Sequence, residues 1–111
     1  MPKALMAVWS NPSDPAKEAE YNAWYDSTHI PDVLKIPGFV ACTRYKVADA
    51  QFGPVETPGS YVAFYELDVA DLATVPEAMG KAFAAGELPM SDAITPGPIV
   101  LLEQASSRLG K

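Results

Sequence analysis

The chemistry that this sequence could perform centres on His29, because it is the only histidine in the chain. Its imidazole is the only side chain whose ordinary pKa lies near neutrality. Tyr25 lies one helical turn before it and Asp26 lies three residues before it, so both can reach the ring. Burial would lower the pKa of the imidazole, whereas a neighbouring carboxylate and a helix carboxyl terminus would raise it. This balance suits a general acid or base, although a structural histidine that closes a helix has the same signature.

Aromatic residues gather around this position. On one face of a predicted helix, at spacings of three and four, lie Tyr21, Trp24, Tyr25, Thr28 and His29. The two predicted strands that follow carry further aromatic side chains, namely Phe39, Tyr45, Tyr61, Phe64 and Tyr65. Tyrosine and tryptophan need partners for their polar atoms when they are buried. This density therefore fits either a small-molecule pocket with a few polar groups or a plain core.

Metal, phosphate and hydrolase chemistry find little support in the motifs. Asp26, His29 and Asp32 could be imagined as metal ligands, but Pro31 should interrupt the helix and turn Asp32 away from the other two. No second histidine or thiolate is present to complete a transition-metal site. The chain contains no phosphate-binding glycine loop, zinc-protease motif or serine-hydrolase elbow. We therefore expect neither a metal nor a cofactor.

Two further residues fall in the middle of a predicted strand. Arg44 is interpreted as a surface residue or as the partner of Glu66 on the neighbouring strand, with contact to an anionic substrate as the weaker alternative. Cys42 is the single cysteine, so no internal disulfide can form, and a small buried thiol is the plain interpretation.

The composition limits the class of protein and its partners. Of 111 residues, 49% are apolar and 20% are charged, so we expect one globular domain over residues 1–111. The formal net charge of −6 works against nucleic acid and against an anionic membrane surface. The apolar run at the amino terminus is short for a signal peptide, and no stretch approaches the roughly 20 apolar residues of a membrane span. A cytoplasmic protein is the expectation.

The order of the predicted elements indicates the fold class. The pattern predicts strands over residues 4–9, 39–47, 61–67 and 99–105, helices over 15–29 and 74–85, and loops over 48–60 and 88–97. The order β-α-β-β-α-β predicts an α+β, ferredoxin-like sandwich, in which one antiparallel sheet carries both helices on one face.

Capping residues set the predicted ends of the helices. Asp14 and Pro15 suit the start of the first helix, and Pro31 should end it near residue 29 or 30, with a further turn expected over residues 32–35. Thr74 and Glu77 have the spacing of a capping box that opens the second helix, and a glycine closes it.

The strands also predict self-association. Residues 4–8 and 99–102 are apolar on both faces of their strands, whereas two helices can cover only one face of such a sheet. The other face would expose a sizeable apolar patch on a monomer, which usually marks an interface. A second sheet is the natural cover, so we expect a homodimer.

One segment resembles a known family. Residues 21–34 read Tyr-Asn-Ala-Trp-Tyr-Asp-Ser-Thr-His-Ile-Pro-Asp-Val-Leu, and Pro37-Gly38-Phe39 follows. This stretch resembles the EthD-like proteins of the dimeric α+β barrel superfamily, which carry an aromatic-rich helix ending in His-x-Pro and a Pro-Gly before the next strand. The remainder of the chain agrees in element order and length. The resemblance implies a subunit that pairs with a twin to form a barrel, and a ligand cavity between sheet and helices.

The resemblance also implies site residues. The family histidine corresponds to His29, and Tyr25 and Asp26 would line its pocket. Members of the wider superfamily include cofactor-free monooxygenases, polyketide cyclases and dehydratases, muconolactone isomerases and haem-degrading enzymes. A shared fold alone is a weak guide to the reaction.

These observations together predict a cofactor-independent lyase, dehydratase, cyclase or isomerase that acts on a small hydrophobic molecule, aromatic or polyketide-like. His29 would move the proton, Tyr25 and Tyr65 would donate hydrogen bonds to the developing oxyanion, and Trp24 and Tyr21 would hold the ring system. Two alternatives stay open at this point. One is a cofactor-free or haem-dependent monooxygenase of the same fold, and the other is a non-catalytic binding protein for a hydrophobic metabolite.

Overall fold

The computed structural model describes residues 3–111. One sheet contains the strands β1 (Lys3–Pro12), β2 (Phe39–Lys46), β3 (Tyr61–Asp68) and β4 (Ile94–Glu103). The strands lie in the order β2-β3-β1-β4, and every neighbouring pair is antiparallel. Helices follow β1 and β3 along the chain. The predicted α+β ferredoxin-like arrangement is therefore confirmed.

The first helical run changes its geometry along its length. It consists of a 3₁₀ turn (Pro15–Lys17), α1 (Glu18–Trp24), a π-helical turn (Tyr25–His29) and α2 (Ile30–Val33). Asp14 caps the start as predicted, because its carboxylate accepts a hydrogen bond of 2.8 Å from the Ala16 amide. Near the other end, the Ile30 amide donates to the Tyr25 carbonyl, five residues back.

The prediction that Pro31 ends this helix is wrong, since α2 continues to Val33. In a regular α-helix a proline ring clashes with the carbonyl four residues earlier, and its missing N–H leaves a gap in the hydrogen-bond ladder. Here the ladder already changes in the π-helical turn immediately before Pro31, which lies in the first turn of α2.

The second helix, α3 (Thr74–Ala84), lies where the sequence predicts it, but the capping box is wrong. The Thr74 hydroxyl donates to the Asp71 carbonyl at 2.7 Å, and the Asp71 carboxylate accepts from the Ala73 amide at 3.0 Å. An aspartate turn before the helix therefore takes over the capping role. Gly86, with φ of +74°, follows the helix as expected.

Two strands are longer than predicted. β1 continues to Pro12 and β4 begins at Ile94, so part of the expected 88–97 loop is strand. Because β4 is an edge strand, Pro96 and Pro98 can sit in it without breaking a ladder on both sides. Gly97 lies against β1 so closely that a Cβ would stand 2.7 Å from the Trp9 carbonyl oxygen.

The core lies between the sheet and the helices. It includes alternate residues of β1 and β3 together with residues of all the helices, among them Met6, Ala63, Tyr65, Tyr21, Tyr25, Val33, Val75 and Ala82. The opposite face of the sheet, called the open face here, carries apolar side chains that no helix covers, including Val40, Tyr45, Val100 and Leu102. Within residues 3–111, no helix is long and apolar enough to cross a membrane.

Candidate functional site

His29 is the last residue of the π-helical turn, and only 6% of its surface is exposed. Its ring stacks on that of Trp24, with centroids 4.7 Å apart and planes 21° from parallel. Tyr25 meets the same imidazole edge-on, at 5.1 Å and 83°. The imidazole is thus held between two aromatic rings of its own helix, and the half-buried Trp24 covers one of its faces.

The π-helical turn accounts for this double contact. In an α-helix the side chain beneath residue i is that of residue i−4, which here is Tyr25. Trp24 lies five positions before His29 and would stand to one side in a regular α-helix. The wider π-helical turn bonds residues five apart, which brings Trp24 beneath the imidazole as well. Sequence spacing alone does not reveal this turn, because it is built from residues that also fit an α-helix.

Three buried polar atoms at this place have no hydrogen-bond partner within residues 3–111: the Nδ1 atom of His29 and the hydroxyl groups of Tyr25 and Tyr65. Both tyrosines are 1% exposed. The two hydroxyls lie close to each other, and that of Tyr65 also lies close to the Cys42 thiol, but neither hydroxyl meets a partner in hydrogen-bonding geometry. Buried polar atoms are nearly always paired, so three unpaired ones together mark a candidate site.

Burial sets the protonation state of these groups. It raises the pKa of Tyr25 and of Tyr65 well above the ordinary phenol range, so both remain hydrogen-bond donors. Burial also lowers the pKa of His29 from 6.5, which the nearby Asp32 carboxylate opposes, so the imidazole is neutral at neutral pH. The Cys42 thiol lies opposite Tyr65 on β2, and burial raises its pKa to about 11. It is therefore an inert thiol.

The expected contact between Asp26 and His29 does not form. The Asp26 carboxylate accepts a hydrogen bond of 2.9 Å from Nη1 of Arg44, and its side chain is 65% exposed. The carboxylate that acts on the imidazole belongs to Asp32. The expectation that Pro31 turns Asp32 away is wrong, because the helix continues through the proline.

Arg44 does not pair with Glu66, as the sequence suggested. In the sheet register Arg44 lies opposite Ala63, whereas Glu66 lies opposite Ala41 and so faces the other side of the sheet. The Arg44 guanidinium donates to Asn22 Oδ1 at 2.9 Å in addition to Asp26. Its side chain is 12% exposed. This contact is not predictable from the sequence, because a strand-to-helix pair has no fixed spacing.

Tyr21 supports the site from beneath. It is fully buried, and its hydroxyl shares a hydrogen bond of 2.6 Å with the buried Ser10 hydroxyl. Its ring meets those of Tyr25 and Tyr61 edge-on, with centroids 5.8 and 5.1 Å away. Because its polar atom already has a partner, Tyr21 is placed to hold Tyr25 rather than to contact a substrate.

Two surface grooves lie elsewhere. One of about 910 Å³ is on the open face, and one of about 680 Å³ lies beside the start of β1 and the carboxyl-terminal tail. His29, Tyr25 and Tyr65 line neither of them. The ligand cavity expected between sheet and helices is not one of these grooves. The His29 ring is almost fully buried, and the half-buried Trp24 side chain covers one of its faces.

The site does not suit a large prosthetic group. Haem needs a wide slot beside an accessible imidazole nitrogen, whereas the His29 ring is stacked and almost fully buried. The residues present therefore do not fit haem. In the part of the chain that the structure describes, no three His, Cys, Asp or Glu side chains are grouped so that they could hold a metal ion.

Comparison with known proteins supports the fold. No protein-family model matches the sequence, and no curated protein matches it either. Two solved structures are similar. HapK from Hahella chejuensis has a TM-score of 0.60 at 14% identity, covering 97% of this chain and 98% of its own. An ethyl tert-butyl ether D (EthD) family protein from Bacillus halodurans C-125 has a TM-score of 0.58 at 22% identity, covering 94% and 99%. The predicted resemblance to EthD-like proteins is thus confirmed at the level of the fold.

Proposed function

We propose that this protein is a cofactor-independent enzyme of the lyase, dehydratase, cyclase or isomerase kind, acting on a small hydrophobic molecule with His29 as its proton-transfer group. One observation carries the proposal. The Nδ1 atom of His29 is buried without a partner, in a ring that contacts Tyr25, whose hydroxyl is also buried and unpaired. The fold similarity to HapK and to an EthD family protein fits a small-molecule enzyme or binder.

The reaction step follows from the protonation states. A neutral imidazole can take a proton from a carbon next to a carbonyl group; the electron pair of that C–H bond forms a C=C bond, and the π pair of the C=O bond moves to the oxygen. The protonated hydroxyls of Tyr25 and Tyr65 then stabilise the enolate oxygen, because they are fixed in a buried, weakly screening place. The imidazolium afterwards returns its proton to another carbon, which isomerises the molecule, or to a leaving hydroxyl, which dehydrates it.

Access to the imidazole depends on Trp24. This side chain is half-buried and covers one face of the His29 ring, whereas Tyr25 and the core enclose the rest. A flat aromatic substrate that displaces the indole would take over its stacking contact with the imidazole. The size of an indole thus sets the scale of the molecule that this site would accept.

Exchange of carbon-bound protons tests the proposal. The wild type is incubated in D₂O with 2-tetralone, a bicyclic aromatic ketone, and loss of the proton signal next to the carbonyl is followed by NMR. We expect exchange faster than in buffer, and a loss of at least about a hundredfold in His29→Gln. Phe83→Leu, at an exposed position of α3, is the control and should behave as the wild type. Equal exchange in His29→Gln would overturn the proposal, and binding of the ketone without exchange would favour a binding protein.

We also propose that the protein works as a homodimer through the open face. This face carries the groove of about 910 Å³, and its apolar lining includes Leu5, Tyr45, Phe64 and Leu102. Two of these side chains are exposed, Tyr45 at 57% and Leu102 at 41%. The same face of a second copy presents the same surface, so the two can cover each other around a twofold axis.

Neighbouring residues of β4 provide a matched test of the dimer. Leu102 lies opposite Leu5 on the open face and is 41% exposed, whereas Ile99 lies opposite Val8 on the helix-bearing face and is 55% exposed. We expect Leu102→Glu to give a monomer in sedimentation velocity and Ile99→Glu to remain a dimer. A monomeric wild type at micromolar concentration, or equal behaviour of the two variants, would contradict the proposal.

A further inference from the structure

The three unpaired polar atoms of the site belong to two tyrosine hydroxyls and one imidazole nitrogen, and none of these groups carries a charge at neutral pH. Tyr25 and Tyr65 offer hydroxyl protons, and a neutral His29 offers a lone pair or an N–H, depending on its tautomer. Two neighbouring hydroxyl donors in a buried place match one acceptor oxygen with two lone pairs. A carbonyl oxygen meets this requirement without bringing a charge.

The Arg44 cation beside the site already has hydrogen-bond partners. The Arg44 guanidinium carbon lies 4.3 Å from the centroid of the Tyr25 ring, beside the site. Its two terminal nitrogens donate to Asp26 and Asn22, so its charge and its donors are committed to the helix. An anionic ligand would therefore have to compete with the Asp26 carboxylate for the same guanidinium.

Other charges near the imidazole oppose an anion. The Asp32 carboxylate opposes the lowering of the His29 pKa by burial, so its negative charge acts at the ring. The same charge would repel a ligand carboxylate there. Lys35 forms an ion pair with Asp32 at 3.5 Å but is itself largely exposed. Its charge is therefore screened by water more than that of a buried group would be.

The walls of the site favour neutral groups. Trp24 stacks on the imidazole, and the Phe39 ring packs edge-on against Tyr65 with centroids 6.1 Å apart. Transfer of an unpaired carboxylate or ammonium from water into such surroundings costs much more free energy than transfer of a ketone. The same physics already acts on the protein's own groups, since burial favours the neutral forms of Tyr25, Tyr65 and His29.

We infer that this site selects an uncharged carbonyl compound, held through its oxygen by the hydroxyls of Tyr25 and Tyr65, and rejects carboxylate and ammonium analogues of the same shape. This inference rests on the site assigned under the proposed function, but it concerns binding and does not require turnover. It narrows the substrate from any small hydrophobic molecule to a neutral ketone or aldehyde.

Three compounds of nearly equal shape test the inference: 2-acetonaphthone, 2-naphthoate and 1-(2-naphthyl)ethylammonium. Binding is followed by NMR through the imidazole proton of His29, which is unambiguous because the chain has one histidine. At neutral pH we expect the ketone to bind at least about tenfold more tightly than either ion, since one lost or unpaired polar contact corresponds to roughly that factor.

Removal of single hydroxyls identifies the binding groups. We expect Tyr25→Phe and Tyr65→Phe each to weaken ketone binding by about tenfold, because each deletes one donor to the carbonyl oxygen. Both variants should fold, since the deleted hydroxyls have no partner in the free protein. Phe83→Leu, at an exposed position of α3, should bind as the wild type. Unfolding curves of all variants serve as the folding control.

The outcomes are distinct. Equal or tighter binding of 2-naphthoate, no binding of the ketone, or ketone binding that survives both tyrosine substitutions would overturn the inference. His29→Gln should keep most of the ketone affinity, because the carbonyl oxygen is held by the tyrosines. Ketone selectivity without proton exchange would therefore leave the inference standing while the proposed enzymatic function fails.

Discussion

The Arg44 guanidinium carbon lies 4.3 Å from the centroid of the Tyr25 ring, closer than it lies to the rings of Tyr21 and Tyr61, at 5.2 and 5.1 Å. Arg44 belongs to β2, and Tyr25 opens the π-helical turn. A cation over the face of an aromatic ring is attracted to its π-electrons, more strongly when water is excluded. This contact therefore fastens the first helical run to the sheet at the candidate site.

Replacement of Arg44 should destabilise the fold. In Arg44→Met the ring contacts and the hydrogen bonds to Asp26 and Asn22 are lost, so we expect a loss of about 1–3 kcal/mol in the free energy of unfolding in urea. Arg44→Lys should retain only part of this stability, because an ammonium group cannot donate two hydrogen bonds in the fixed planar geometry of a guanidinium. Lys81→Met, which breaks an exposed pair with Glu77, should cost no more than about 0.5 kcal/mol. Equal losses in Arg44→Met and Lys81→Met would contradict this account.

The buried hydrogen bond between Ser10 and Tyr21 gives a second prediction. Ser10→Ala leaves the Tyr21 hydroxyl buried without a partner, which should cost about 1–3 kcal/mol of stability. The double variant Ser10→Ala/Tyr21→Phe removes both polar groups and should be more stable than Ser10→Ala alone. Thermal and urea unfolding measure both effects. A double variant whose losses are simply additive would show that the hydroxyls do not depend on each other.

The pKa of His29 predicts how stability varies with pH. Burial lowers this pKa below the 6.5 of the unfolded chain, so in the interval between the two values the unfolded state binds more protons. Stability should therefore be unaffected by this group above 6.5 and should fall as the pH drops below it. NMR titration of the single imidazole gives its folded pKa, and urea unfolding between pH ~7.5 and ~5 gives the stability. His29→Gln should lack this part of the acid sensitivity, and a folded pKa above 6.5 would reverse the sign.

The turn before β2 gives a fourth prediction. Gly38 has φ of +92°, and a Cβ there would lie 2.5 Å from Val69 Cγ1. Gly38→Ala combines a strained backbone with overpacking and should cost about 2–4 kcal/mol. Gly86 also has a positive φ, but a Cβ there would meet no atom within 4 Å. Gly86→Ala should therefore lower the free energy of unfolding by about 1 kcal/mol. Gly53→Ala, in open space, should be near neutral. The order of the three unfolding midpoints checks the argument.

The fold could be predicted because the β-α-β-β-α-β order follows from local signals. The apolar runs of β1 and β3, the Asp14 cap and the glycine after α3 each act over a few residues, and the structure agrees with them. The errors share another cause. Pro31 and the prolines of β4 normally break regular structure, and here a π-helical turn or an edge position accommodates them.

Which side chains meet around His29 was predictable, but several of their contacts were not. His29, Tyr25, Trp24 and Tyr65 come together, because three of them lie on one helix face and the fourth lies on the strand beneath. The partner of Asp26 was not predictable. Its ion pair with Arg44 depends on the register of β2 against β3, which a bulge between Phe39 and Ala41 shifts. No short-range pattern encodes such a shift.

Because of the π-helical turn, the number of residues in this helical segment determines which side chains His29 contacts. In a regular α-helix the imidazole would pack on the side chain four positions earlier, that of Tyr25. The wider turn also brings the side chain five positions earlier into contact, so His29 packs against both Tyr25 and Trp24. A chain with the same side chains but one residue fewer around Ser27 and Thr28, both of which are exposed, would lose one of these neighbours. A change in length, with no substitution at the site, would thereby rewrite the surroundings of its only histidine.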